Sequence, residues 1–205
     1  MGACWSCQAT AGPEDLLCPA CGALQPPPPG QDHFAALGLP RAWALDPAEL
    51  EQRFRERSRL VHPDRFARKS ARERRLSLER STRLNDAHRT LKEPRRRAAY
   101  LLQLHGRDPQ AEARTMHDPD FLEEQLEARE QLAEAHARGD ARRLALLAAG
   151  ARDRLAALEE ELGLALAAAA PGPAALDAAV RALARARYYE NVVADAEQAP
   201  PSVHA

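Results

Sequence analysis

The stretch RLVHPDRF at residues 59–66 decides how this part of the chain folds. Pro63 lacks a backbone donor and pushes the preceding residue out of the helical region, so the sequence predicts that a helix ends at His62. The residues before it, 45–61, have the spacing of an amphipathic helix with an arginine-rich outer face. A second, longer helix is predicted to follow the turn and to run to about Leu91.

Capping residues mark where these two helices begin. Asp46 is the predicted N-cap of the first helix, Pro47 fits its first turn, and Glu49 has the spacing of a capping box. Ser70 and Glu73 have the spacing of a second capping box, at the start of the longer helix. The two helices are therefore predicted to form a pair joined by the loop HPDRFARK.

The rest of the chain also predicts helices, and the fold class is all-α. Alanine, leucine, arginine and glutamate dominate, whereas aromatic residues make up 4% of the chain, which favours helices over strands. Shorter helices are expected at 32–40 and 93–106, and a bundle of three at 118–138, 140–163 and 174–196. The predicted domains are a tetracysteine module (1–25), a proline-rich linker (26–31), a helical domain (32–110) and a three-helix bundle (116–198).

Charge is divided between two parts of the chain. Residues 47–114 hold 19 basic and 10 acidic side chains, whereas residues 118–161 hold 6 basic and 12 acidic ones. This asymmetry indicates two surfaces for two partners, although two solvated sets of helices would show it as well. No apolar run reaches the roughly 20 residues that cross a bilayer, and no leader is visible. We therefore expect no membrane partner and a cytoplasmic location, or the mitochondrial matrix for a eukaryotic source.

The four cysteines of the chain lie in one short segment, CWSCQATAGPEDLLCPACGALQ, residues 4–25. Each pair leaves two residues between its thiols, so that one turn presents both sulfurs to one ion; the pairs are Cys4 with Cys7 and Cys18 with Cys21. Four thiolates suit a structural zinc ion and leave no open position for catalysis. Two disulfides or a redox pair are the alternatives, and a reducing compartment disfavours the disulfides. The prediction is one structural zinc ion.

His62, Pro63 and Asp64 have three possible roles. His62 and Asp64 could act as acid and base, but no serine or cysteine nucleophile has a matching context, so we predict that the chain is not an enzyme. Metal binding would need more ligands than the loop offers. A purely structural turn, with Asp64 or Ser70 capping the next helix, remains open for the tripeptide alone. A rigid turn beside an arginine-rich face is also a surface that another protein can read.

The tripeptide in its setting resembles a J domain, and the whole chain is similar to the HscB family of iron–sulfur cluster co-chaperones. LVHPDRF is followed by LNDAHRTLKEPRRRAAYLLQLHG at residues 84–106, and HFAALGLP at residues 33–40 is similar to the start of that family. DPDFLEEQLEAREQL at residues 118–132 is similar to the first helix of its C-terminal bundle. The cysteine segment resembles the metal-binding extension of the longer members.

This resemblance implies two partners. The J domain would dock on a DnaK-type chaperone ATPase, HscA or its equivalent, and stimulate ATP hydrolysis, with the tripeptide as the trigger. The implied chaperone-binding residues are His62, Pro63, Asp64, Arg53, Arg57, Arg59, Arg65 and Lys69. The bundle would hold an IscU-type scaffold that carries the nascent cluster, and it would deliver that scaffold to the chaperone.

Helical spacing in residues 118–138 separates a core stripe from a second apolar stripe. Phe121, Ala128, Leu132 and Ala135 share the expected core face. The second stripe begins with Leu122 and Leu126 and has Glu123 beside it. It matches the scaffold-binding pattern of the family at Leu122, Leu126, Glu127, Glu130 and Glu134, and Tyr188 on the last predicted helix matches the aromatic contact of that pattern. Glu123 departs from relatives that have a long apolar residue there, and Tyr189 could replace Tyr188. A solvated helix edge with two partly buried leucines is the alternative.

Two rival functions differ from this one in class. A nucleic-acid binder would use the zinc segment and the basic helices, but aromatic side chains for base stacking are scarce and the bundle is acidic, so we expect no nucleic-acid partner. A general J-domain co-chaperone would deliver unfolded clients and not one folded scaffold. The sequence leaves the role of the zinc segment open among dimer formation, stability and partner choice, so a homodimer through it is possible.

Overall fold

The structure is a computed structural model that describes residues 2–116 and 118–198, and it divides into two compact units, Met1–Arg97 and Ala98–Ala205. Met1 and His117, which fall inside two of the predicted domains, lie outside the described residues. Each unit is described by itself. In the described part of the chain, no helix is both long and apolar enough to span a bilayer.

The first unit begins with a small module built around the cysteines. Strands β1 (Gly2–Ala3) and β2 (Thr10–Ala11) pair antiparallel, and an isolated bridge joins Leu17 to Leu24. Cys4, Cys18 and Ala23 form its small buried cluster. A segment with so little apolar area cannot fold on burial alone, which agrees with the prediction of a metal-stabilised module.

Four helices follow the module in the first unit, and a fifth begins there. They are α1 (His33–Leu37), α2 (Pro47–Val61), α3 (Pro63–Phe66), α4 (Ala71–Lys92) and α5 (Pro94–Leu104). The N-cap residues Asp32, Asp46 and Ser70 each accept a backbone hydrogen bond, as expected of short polar side chains at helix starts. α1 and α2 both pack against α4, and their buried side chains form the core of the domain.

The second unit holds the C-terminal end of α5 and four more helices. They are α6 (Pro109–Thr115), α7 (Pro119–Arg138), α8 (Ala141–Ala165) and α9 (Pro173–Glu197). α8 and α9 make the most extensive contact between helices, and their shared core is built largely of alanine and leucine. Small side chains let two helices approach closely, but each buries little apolar area. The turn between α7 and α8 ends on Gly139, which has a φ of 62°.

The predicted all-α fold, with its helix pair and three-helix bundle, is confirmed. Three local predictions differ from the structure. The loop after His62 contains the one-turn helix α3, and α6 lies between the two predicted helical sets. At the start of α2, Asp46 accepts from the amide of Ala48, whereas Glu49 lies 3.6 Å from Arg53 and does not complete a capping box. An ion pair one turn along the helix is available to Glu49 at that position.

Candidate functional site

The four cysteine sulfurs converge in the N-terminal module. All four lie within 4.8 Å of one another, with 3.8 Å between the sulfurs of Cys4 and Cys21 and 3.7 Å between those of Cys7 and Cys18. The two halves of the site have the same backbone form. In each half the residue after the second cysteine has a positive φ, 62° at Gln8 and 72° at Gly22. The backbone NH of that residue then donates to the carbonyl of the first cysteine of the pair.

The spacing of these sulfurs fits zinc. Four sulfurs about 2.3 Å from a tetrahedral zinc ion lie about 3.8 Å from one another, which is the separation of both pairs given above. Hydrogen bonds add to this fit, because the backbone NH of Ser6 donates to the sulfur of Cys4 at 3.3 Å, which favours a thiolate there. The side-chain amide of Gln25 also donates to this sulfur, at 3.3 Å. The donor set therefore suits a structural zinc site with four thiolate ligands.

The HPD turn, residues 62–64, is held outside the helix pair. α2 ends at Val61, and Pro63 begins α3, so that the turn is fixed at both ends. The amide of Asp64 donates to Nδ1 of His62 at 3.3 Å, and the Asp64 side chain is 90% exposed. The backbone of the turn is fixed at both ends, and the Asp64 carboxylate lies 3.6 Å from Nδ1 of His62 and is largely exposed to solvent, which is the form expected of a surface that a partner reads.

The basic residues predicted to bind the chaperone fall into two groups. Arg53, Arg59, Arg65 and Lys69 are exposed. Arg65 donates to the carbonyl of Arg59 at 3.0 Å, which ties α3 back to the end of α2 beside the HPD turn. Arg57 is different, because it is half-buried against α1 and donates to the carbonyl of Ala36 at 3.2 Å. Its guanidinium is therefore engaged within the domain, unlike the guanidinium of an exposed docking residue.

One face of α7 presents two leucines and a row of acids to solvent. Leu122 is 55% exposed and Leu126 is 61% exposed. The predicted acidic neighbours are all exposed: Glu123, Glu127, Glu130 and Glu134. We call these six residues the α7 patch. Its leucines lie on a face of α7 next to the one that carries the buried Phe121 and Leu132, so the predicted separation of the two stripes is present in the structure.

An aromatic cluster packs α7 against α9 near this patch. The ring of Tyr188 meets Phe121 edge-on with 5.4 Å between centroids, and its hydroxyl donates to the carbonyl of Gln125 at 3.3 Å. Tyr188 is half-buried, whereas Tyr189 is 8% exposed and donates to a carboxylate oxygen of Glu124 at 2.5 Å. Burial and this carboxylate raise the pKa of Tyr189. Of the two tyrosines, Tyr188 is therefore the one whose side chain is more exposed to a partner, and Tyr189 is a core residue.

The sequence revealed only one of the two residues that fix the start of α7. Asp118 caps the helix at the amide of Phe121 and also accepts a 2.6 Å hydrogen bond from Arg185 of α9. This bond, together with the cap, lowers the pKa of Asp118. Only the cap is visible in the sequence, because Arg185 lies 67 residues further along the chain.

Comparisons with known proteins point to one family. A family model described as the HSCB C-terminal oligomerisation domain matches residues 117–197. The chain is similar to the crystal structure of human co-chaperone protein HscB, with a TM-score of 0.75 and 31% identity, covering 95% of this chain and 96% of that one. It is also similar to chaperone HscB from Vibrio cholerae, with a TM-score of 0.62 and 32% identity, covering 82% and 96% of the two chains.

Two curated relatives also have HscB in their names. The human iron-sulfur cluster co-chaperone protein HscB is 42% identical over 135 residues, which are 64% of this chain and 57% of the relative. The co-chaperone protein HscB homolog of Bordetella pertussis is 48% identical over 104 residues, which are 51% of this chain and 61% of the relative. The matched part is thus somewhat less than two thirds of the length of either relative.

Proposed function

The chain belongs to the HscB family of co-chaperones, and from that premise we propose that it joins a chaperone ATPase to an iron–sulfur cluster scaffold. In this proposal the HPD turn stimulates ATP hydrolysis by a DnaK- or HscA-type chaperone. The α7 patch holds an IscU-type scaffold and brings it to that chaperone. The ATPase reaction occurs on the chaperone, and the chain contributes two binding surfaces and no reaction of its own.

The HPD turn is the single observation that carries the chaperone half of the proposal. Its carboxylate is the most exposed group of the turn, and Pro63 fixes the backbone that presents it. The exposed Arg53, Arg59 and Arg65 supply positive charge on α2 and α3. A cluster of one sign of charge steers an acidic partner surface toward the turn before contact is made.

The exposed leucines of the α7 patch support the scaffold half. Leu122 and Leu126 are one helical turn apart, and a partner can bury both of them at once. The acids around them give the patch a polar rim, which is the usual anatomy of a protein–protein interface. The aromatic cluster of Phe121 and Tyr188 holds α7 against α9, so the patch lies on a rigid support.

The tetracysteine site completes the proposal as a structural metal centre. The ligands of a single zinc ion would be Cys4, Cys7, Cys18 and Cys21. When bound, the ion supplies the free energy that folds the module, and four thiolates leave no position for a reacting water. Cys4 and Cys18 are buried, whereas Cys7 and Cys21 are exposed, so an ion would have an entry path from one side.

A steady-state ATPase assay with the cognate chaperone tests the proposal. The wild-type chain should stimulate hydrolysis, and added scaffold should stimulate it further. Asp64→Asn should abolish the stimulation, because it removes the exposed charge while keeping the shape of the turn. Helicity and scaffold binding should not change, since the Asp64 side chain is 90% exposed and is not part of the α7 patch.

Asp153→Asn is the matched control, because Asp153 is an exposed aspartate on α8, far in sequence from the turn. It should stimulate the chaperone as the wild type does. Full stimulation by Asp64→Asn would contradict the assignment of the trigger. A general J-domain co-chaperone for unfolded clients is the alternative function, and it predicts that unfolded peptides displace the scaffold from the chain.

A further inference from the structure

The module and the helical domain of the first unit are joined through a buried arginine. Arg80 lies on α4 and is 3% exposed. Its guanidinium donates to the carbonyl of Gln25 at 3.1 Å, to that of Pro26 at 2.9 Å and to Oε1 of Gln31 at 3.2 Å. Two of these acceptors belong to the segment that directly follows the cysteines, so α4 holds the end of the module in place.

The acceptors of Arg80 are all uncharged oxygens. Burial lowers the pKa of Arg80 to about 10, and Arg57 nearby adds to this effect. A buried guanidinium without a carboxylate contributes little net stability, because desolvation offsets what its hydrogen bonds gain. Its planar fork nevertheless fixes the positions of several oxygens at once. The arrangement is therefore better suited to positioning the module than to stabilising the fold in general.

Gln25 connects this arginine to the cysteines. Its side-chain amide donates to the sulfur of Cys4 at 3.3 Å and to the carbonyl of Ala23 at 2.7 Å, and the residue is 6% exposed. One residue thus touches a thiolate with its side chain and Arg80 with its backbone. A second contact between α4 and the module lies near the start of this helix, where the guanidinium of Arg72 stacks 4.2 Å from the centre of the Trp5 ring.

α4 also contacts the end of α2, directly before the HPD turn. Ser77, one turn before Arg80, is fully buried and donates to the carbonyl of Val61 at 2.6 Å. Val61 is the last residue of α2 and directly precedes His62. A continuous chain of hydrogen bonds and helix backbone therefore runs from the sulfur of Cys4 to the residue before the turn.

We propose that Gln25 and Arg80 couple metal loading of the four cysteines to α4, so that the loaded module stabilises the helix pair that presents the HPD turn. Without the metal the module cannot hold its fold, and the carbonyls of Gln25 and Pro26 are no longer fixed opposite Arg80. The proposal rests on metal binding by the cysteines. It assigns the module a role within its own chain, where Arg80 is a positioning residue.

Coupling between two sites is reciprocal, and this makes the proposal measurable from both ends. Arg80→Met in the full chain should weaken zinc affinity about 5- to 150-fold, the usual range of such couplings, in a competition titration against a chromogenic chelator. Zinc removal from the wild type should speed hydrogen exchange of the α4 amides, and in Arg80→Met it should not. Arg83→Met is the matched control, because Arg83 lies on the same helix but is exposed and paired with Glu79.

Gln25→Leu keeps the proposal testable if Arg80→Met does not fold. It leaves the backbone carbonyl for Arg80 and removes the side-chain amide that donates to the sulfur of Cys4 and to the carbonyl of Ala23. Zinc should bind more weakly to this variant, and α4 exchange should respond less to zinc than in the wild type.

The coupling would be overturned if the wild type, Arg80→Met and Gln25→Leu bound zinc with affinities within about twofold of one another, because a coupling free energy of about 1–3 kcal/mol requires a larger difference. Exchange in wild-type α4 that ignores zinc would overturn it as well. A wild-type chain that retains no zinc overturns the metal site and the coupling together. Loss of chaperone stimulation with an intact zinc response counts only against the proposed function.

Discussion

The leucines of the α7 patch offer the sharpest test of scaffold binding. Replacing both Leu122 and Leu126 by alanine removes apolar surface that is exposed in the free chain, so the fold should lose little stability. Their exposed fractions, 55% and 61%, together slightly exceed one whole leucine. Fully burying a leucine contributes about 1.5–3 kcal/mol, so a partner that covers both gains about 1.7–3.5 kcal/mol from them. That free energy corresponds to a loss of about 20- to 400-fold in affinity.

Isothermal titration of the purified scaffold into the full chain measures this loss. The matched control is Leu146→Ala with Leu164→Ala, because these two leucines of α8 are 58% and 82% exposed and lie outside the patch. The control should bind the scaffold as the wild type does. If the Leu122/Leu126 variant binds the scaffold with an affinity within about twofold of the control, the α7 patch is not the scaffold-binding surface, since burial of the two leucines requires a much larger change.

Two further predictions concern the bundle itself. Gly150→Ala in the middle of α8 should raise the free energy of unfolding by about 1 kcal/mol in urea titrations, because the added methyl group meets open space. Gly139→Ala should lower the free energy of unfolding by about the same amount, because Gly139 has a φ of 62°. Equal shifts in the two variants would contradict this prediction. Asp118→Asn should be less stable than the wild type at neutral pH. Because the pKa of Asp118 is lowered in the folded chain, its ionised carboxylate stabilises the fold above the ordinary pKa of 3.8, and this stabilisation is lost as the pH falls through the lower folded pKa. The stability difference between the variant and the wild type should therefore shrink in acid. A difference that does not change with pH would refute the role of Arg185.

Signals that act over a few residues predicted the helices well. Pro63 ends α2 at the expected residue, and Ser70 with Glu73 forms the expected capping box. Both effects depend on neighbours within one helical turn, although the same spacing at Asp46 and Glu49 gives an ion pair with Arg53 and not a capping box. The short spacing of the cysteine pairs is also a local signal, because the backbone hydrogen bonds that close each knuckle join residues of that knuckle alone.

Effects that depend on distant partners were less visible. Helical periodicity separated the buried Phe121 from the exposed Leu122, but it did not say which side chains lie behind α7. Tyr189 and Arg185 come from α9, and their contacts to Glu124 and to Asp118 span 65 and 67 residues. The one-turn helix α3 lies in a segment for which the sequence predicts a loop, because four residues are too few to show a helical period.

The arginines show most clearly why a charge count overstates a docking surface. Arg80 and Arg83 lie three residues apart on α4, and nothing in their local sequence distinguishes them. Yet Arg80 is 3% exposed and donates to the end of the module, while Arg83 faces solvent. Arg57 is likewise turned inward, toward Ala36. Part of the positive charge of residues 47–114 therefore holds the domain together. The proposed chaperone contact is left with the exposed arginines and the lysine around the HPD turn, and we expect variants of that smaller set to weaken docking without unfolding the chain.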